Sequence, residues 1–163
     1  MTQKMTRRRF LQASTLVLAA AALTACGGGG SSLPSIPGMV SADLGAMKVT
    51  MNRIDVNLDN GIGKVTYTWN IIAREKITLN KTNFTAALDE NQLVLQGLKK
   101  ESGPLVESVT LSPSARAVEV KCEFDLTKDK FEKGRQLNAA LIYNGKKAES
   151  KTTLAELKKL VLW

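Results

Sequence analysis

Apolar and polar residues alternate with a period of two over much of the chain. Val118, Val120, Cys122, Phe124 and Leu126 occupy one face of a stretch whose other face is Glu119, Lys121, Glu123 and Asp125. This is the pattern of a strand with one side buried in an antiparallel sheet. Val65, Tyr67, Trp69 and Ile71 repeat it, interleaved with Thr66, Thr68 and Asn70. Shorter apolar runs at 77–79, 84–88, 93–98 and 105–111 predict further strands. The first strand slips phase between Met51 and Ile54, which predicts a bulge or a change of sheet near Asn52-Arg53.

Turn chemistry separates these runs. Asp59-Asn60-Gly61-Ile62-Gly63, Ser102-Gly103-Pro104 and Ser112-Pro113-Ser114 each interrupt the alternation. Leu137, Ala139, Leu141 and Tyr143 mark another strand, ended by Asn144-Gly145, a strong hairpin signal. The returning segment, 146–152, is polar and rich in lysine, as suits an edge strand that must not pair with other chains. Thr153-Leu154-Ala155-Glu156 reads as a capping box opening a short helix through Leu157, Leu160 and Val161, with a final strand as the alternative. Many short strands with a turn about every ten residues predict a sandwich or barrel. The expected fold is all-β, an immunoglobulin-like antiparallel β-sandwich with a short C-terminal helix.

The N-terminus breaks this pattern. A basic start, an apolar run at 13–25 and a small-residue exit are the three parts of a secretory signal. The run is shorter than the roughly 20 residues that span a bilayer. Leu23-Thr24-Ala25-Cys26 resembles a bacterial lipobox. The resemblance implies a diacylglycerol on the sulfur of Cys26 and cleavage that leaves this residue as the new N-terminus, a role suited to a nucleophilic thiolate. Thr6-Arg7-Arg8-Arg9-Phe10-Leu11-Gln12 resembles a twin-arginine export signal, with Arg7, Arg8, Phe10 and Leu11 as its marks. A general secretory signal with three arginines is the alternative. Gly27 rather than an acid after Cys26 resembles lipoproteins of the outer membrane, and implies an anchor there facing the periplasm, with the cell surface as the other option. Acyl chains contribute about 0.8 kcal/mol per buried methylene to such an anchor. The Gly/Ser/Pro-rich stretch that follows has a flexible reach of roughly 20 Å by composition. The expected organisation is a signal peptide over 1–25, lipidated Cys26 with a tether over 26–41, and one β-sandwich over 42–163.

Composition refines the picture once this leader is set aside. The formal charge is +8, yet four of the 23 basic residues, Lys4, Arg7, Arg8 and Arg9, lie in an acid-free leader. From Cys26 onward 19 Lys and Arg therefore stand against 15 Asp and Glu, a net of +4. Most of these charges sit between the apolar residues of strands, so nucleic acid is not the expected partner. With no histidine the chain lacks the commonest general base and zinc ligand, and Ser-His catalysis is excluded. One cysteine besides Cys26 leaves neither a thiolate metal site nor an internal disulfide. Cys122, in the apolar phase of the clearest strand, reads as a buried core residue. Asp89-Glu90 sits in a turn, and Glu119, Glu123 and Asp125 read as a solvated face with Lys121 among them rather than as a paired acid site. Asp55, Asp59 and Asn60 offer oxygens but match no calcium loop. No cofactor or metal is expected.

Lys128, Lys130, Lys133 and Arg135 form one basic group, and Lys146, Lys147 and Lys151 a second. With the second on an edge strand and the first in a neighbouring loop, the two could form a single positive rim for anionic headgroups or lipopolysaccharide phosphates. The alternative is an edge strand charged to prevent self-pairing.

The strand 65–71, Leu79 with Phe84 and Leu88 ahead of Asp89-Glu90-Asn91, Leu111-Ser112-Pro113 and the strand 118–126 resemble telokin-like, immunoglobulin-fold extracellular domains of bacterial lipoproteins. That family has no common catalytic site, so the resemblance implies an extracytoplasmic binding or structural module. The expected function is a lipid-anchored envelope module that holds another envelope component, an unidentified envelope protein, without catalysis. A periplasmic carrier of small molecules or lipids with an apolar cleft between its sheets is the alternative.

Overall fold

The longer strands take the lengths their alternation predicts. The protein is described by a computed structural model over residues 38–58 and 63–160. Its strands are β1 (Val40–Asp43), β2 (Met47–Asn57), β3 (Lys64–Ala73), β4 (Ile77–Asn80), β5 (Phe84–Leu88), β6 (Asn91–Gln92), β7 (Leu95–Lys100), β8 (Ser108–Leu111), β9 (Val118–Asp125), β10 (Gln136–Tyr143) and β11 (Lys146–Thr153). Two short helices, α1 (Lys128–Lys133) and α2 (Leu154–Leu160), flank the last hairpin. One sheet runs β1-β2-β3-β9-β7, a second β11-β10-β5-β6, and β4-β8 form a small third; the pairings are antiparallel. The expected all-β antiparallel sandwich is what forms.

One residue set makes the core. Val65, Tyr67, Trp69 and Ile71 of β3 and Val120, Cys122 and Phe124 of β9 face inward, against Phe84, Leu137, Leu141 and Ala148 of the other sheet. Tyr67 and Phe124 meet edge to face, with centroids 6.0 Å apart at 87°, a preferred aromatic geometry. The predicted phase slip in β2 is a register shift between Met51 and Arg53, which keeps Met47, Val49 and Met51 inward before it and Val56 inward after it. Asn144 and Gly145 have φ of 47° and 75°, as a two-residue hairpin turn requires.

The structure departs from the pattern in four places. Residues 128–133, read above as part of a loop, form helix α1: the Thr127 hydroxyl accepts a hydrogen bond from the Lys130 amide, and Phe131 is fully buried beneath it. The run 93–98 starts its ladder only at Leu95, and 105–111 only at Ser108, apart from a bridge between Val106 and Leu98. The sandwich also begins earlier than expected, since β1 takes up Val40 and Ser41 and Gly38 already packs on β11. The C-terminal segment is the helix rather than the strand. The Thr153 amide donates to Glu156 Oε2 at 3.3 Å and the Thr153 hydroxyl donates to the same oxygen at 2.6 Å.

The two ends of the sandwich differ. At the tip end, Arg74 donates to the Gly45 carbonyl at 2.6 Å and Ser114 to the Ala73 carbonyl at 3.1 Å, so the turns after β1, β3 and β8 meet. Lys146 of the β10–β11 hairpin joins them, its Nζ 3.4 Å from where a Cβ on Gly45 would stand. At the helix end, Leu126 donates to the Gly63 carbonyl and Leu154 to the Arg135 carbonyl, gathering α1, α2 and the start of β3. The chain enters between these ends. Gly38, with φ of +79°, accepts a hydrogen bond from the Ser150 hydroxyl and lies against Thr152 and Ile54.

Candidate functional site

The outward face of the five-stranded sheet carries the carboxylates that the sequence singles out. The β3–β9 register sets Thr66 opposite Glu123 and Lys64 opposite Asp125. Glu123 is largely buried between Lys99 and Lys64, at 2.7 Å and 3.0 Å. Desolvation pushes its pKa up, but the hydrogen bonds from Lys99 and Lys64 outweigh it and the carboxyl ends below its ordinary value. Glu119 pairs with Lys121 at 2.9 Å, Asp55 with Arg53 at 2.7 Å, and Asp125 accepts from Gln96. These groups are spread along a ladder, all but Asp125 matched with a cation and Asp125 with the Gln96 amide, so no two of them converge on a shared site.

The turn acids also serve the fold. Asp89, at φ of 53°, accepts from the amides of Arg135 and Gln136 at 3.1 and 3.0 Å and fixes the entry into β10. Cys122 is fully buried, and burial pushes its thiol well above its usual pKa, the opposite of an activated nucleophile. Among the described residues no three His, Cys, Asp or Glu side chains group to hold a metal ion. Asp59 and Asn60 lie outside the described residues.

The two basic groups are not brought together. Lys128, Lys130 and Lys133 stand on α1 and Arg135 just beyond it, at the helix end. Lys146 and Lys147 sit at the tip of the β10–β11 hairpin, whose register sets Tyr143 against Lys146 and Gln136 against Thr153. The seven steps of β10 separate the groups by roughly 23 Å at about 3.3 Å each. Acids further divide the first group: Lys133 pairs with Asp129 at 2.7 Å, which raises the lysine pKa, and Lys128 with Glu132 at 3.7 Å. On the hairpin, Glu149 takes Lys147 at 2.9 Å and Lys151 at 3.9 Å. A single positive rim does not form.

What the sequence reading missed is the company at the tip. Arg74 grips Asp43 with two parallel hydrogen bonds of 2.7 and 2.6 Å, and the Gly45 amide donates to the same carboxylate at 2.9 Å. Chiefly through the Arg74 hydrogen bonds, Asp43 is held well below the usual carboxylate range. Lys48, at the start of β2, and Lys76 and Arg116, from turns, join Lys146 at this end; they are scattered over the sequence and therefore invisible as a run. Cys26, Arg7, Arg8, Phe10 and Leu11 lie outside the described residues, and no helix among those described is long and apolar enough to cross a membrane.

The chain matches no protein-family model and no curated protein. It does match a solved structure. That chain is described as a "putative lipoprotein (ycdA)" from Bacillus subtilis subsp. subtilis str. 168, and the two superpose with a TM-score of 0.50 at 12% identity. The match covers 77% of this chain and 43% of the other, less than half of that protein's length. At that identity the likeness concerns the fold.

Proposed function

We propose that this protein is a lipid-anchored module of the bacterial cell envelope that holds another envelope component and performs no catalysis. The observation that carries the reading is the sequence Leu23-Thr24-Ala25-Cys26, followed by a Gly/Ser-rich stretch that leads into a β-sandwich. The fold shared with a chain described as a putative lipoprotein supports it. So do the ion-paired Glu123 and the enclosed Cys122, neither of which is placed to act as an acid–base group or a nucleophile. Cys26 bears the lipid, Arg7, Arg8, Phe10 and Leu11 direct export, and the outer membrane facing the periplasm is the destination.

Replacing the anchor tests this. Cys26→Ser should move the protein from the membrane to the soluble periplasmic fraction, while the unaltered chain stays with the membrane after a high-salt wash. Retention of the variant in the membrane fraction would sink the proposal.

A further inference from the structure

We infer that the tip end of the sandwich is a docking surface for an acidic segment of a partner protein. It is built from Lys48, Lys76, Arg116 and Lys146, and the inference rests on the anchored reading above. These four side chains come from the start of β2, the turn before β4, the 112–117 loop and the β10–β11 hairpin, and all four are exposed. Contacts between Arg74 and Gly45, Ser114 and Ala73, and Lys146 and Gly45 hold the turns together. Among the described residues, Arg74 and Lys147 at this end are held in ion pairs by Asp43 and Glu149, whereas the four form no ion pair, Lys146 only adding to the positive field at Asp43. Glu75 and Glu101 are the acids nearby outside those pairs. The helix end keeps fewer free cations: Lys128 and Lys133 are paired within α1 itself and Lys158 is engaged with the Glu132 carbonyl and the Phe131 ring, which leaves Lys130 and Arg135 outside any ion pair among the described residues.

The arrangement selects the class of partner. Lysines on separate turns present point charges over an extended area, with no ring of converging amides to cradle a single phosphate. Spread charge of this kind steers and orients a chain of carboxylates. Position argues against lipid headgroups. Gly38, where the chain enters, lies beside Thr152, and the six steps from there to Lys146 amount to roughly 20 Å. Residues 27–37 reach no more than about 40 Å even fully extended. The tip thus lies away from the point where the tether enters, so in an anchored chain it is free to face a protein partner rather than the membrane.

Titration of the full chain carrying Cys26→Ser tests the inference, with poly-L-glutamate and vesicles of mixed neutral and anionic phospholipid as separate probes. Changing Lys48, Lys76, Arg116 and Lys146 together to Gln should weaken poly-L-glutamate binding at least ~10-fold at low salt, an effect that fades as the Debye length falls to about 8 Å. The same change at Lys128, Lys130, Lys133 and Arg135 should leave that binding within about twofold. A second variant, Arg116→Glu with Lys146→Glu, should reproduce the loss with fewer substitutions, and an unchanged melting temperature certifies its fold. Equal losses from both ends, no binding of the polypeptide, or vesicle binding that the tip changes abolish would each overturn the inference. Fractionation of the unaltered chain reports on the anchor separately.

Discussion

Cys122 lies fully enclosed on the inward face of β9, opposite Tyr67 of β3 and Leu98 of β7. A thiol there reacts only when the sandwich opens, because neither reagent nor hydroxide reaches it and burial holds it protonated. A maleimide at pH 8 should label Cys122 at the rate of global unfolding, at least ~100-fold slower than in denaturant, where two-state opening limits access. Labelling of native protein within seconds would contradict its place in the core. The alternation of β9 already put this residue inside, since burial on a strand follows from parity alone. Gly38 could not be read in the same way. Among the glycines of the supposed tether it looks like one more linker residue, yet a Cβ there would stand 1.9 Å from Thr152 Oγ1. Nothing within ten residues of it announces a partner more than a hundred positions away.

Glu123 shows how one side chain ties three strands. It belongs to β9, takes Lys64 from β3 and Lys99 from β7, and so clamps the outward face across two ladders. Its folded-state pKa lies below the ordinary value of an unfolded glutamate, because the hydrogen bonds from Lys99 and Lys64 outweigh desolvation. The carboxylate therefore adds stability that is present in full above that value and is lost as pH falls through the lower, folded one. Glu123→Gln should destabilise the domain by about 1 kcal/mol near neutral pH, since the two half-exposed lysines can return to water. Thermal melts should show a Tm lower by roughly 4 °C at pH 7, with the gap to the unaltered protein closing below about pH 4. A gap that stays constant from pH 7 to pH 3 would mean that the carboxylate charge is not what holds these strands. At this scale the sequence was informative wherever a strand had length. β3, β9 and the β10–β11 hairpin were legible, while α1 was not: a six-residue helix with Phe131 as its one buried residue has no periodicity to detect. Its signals were the caps at Thr127 and Gly134, which a loop would also use.

The order β1-β2-β3-β9-β7 places β9 between strands far from it in the chain, and local pattern carries no trace of such an arrangement. That is why the tip was missed: its cations meet only after the sheets have formed. The same packing bears on the carrier alternative. Trp69, Tyr67, Phe124, Met47 and Met51 are each almost wholly enclosed between the sheets, and the inward side chains form one continuous cluster. Interiors of this kind are close-packed, with few voids larger than a water molecule. The exposed large apolar residues, Met39, Val94, Leu105 and Ile142, stand on different segments, and Leu105 is already committed to covering Gly97. A carrier must instead keep an apolar surface vacant or open one at little cost. Nile red distinguishes these cases, because it is neutral and the cationic tip gives it no purchase. With native protein its fluorescence should stay within about twofold of buffer, and rise at least ~10-fold only once mild denaturant loosens the core. A stoichiometric, saturable rise with fully native protein would show that the sheets part to admit an apolar guest, and the carrier would then displace the accessory module as the better account of this fold.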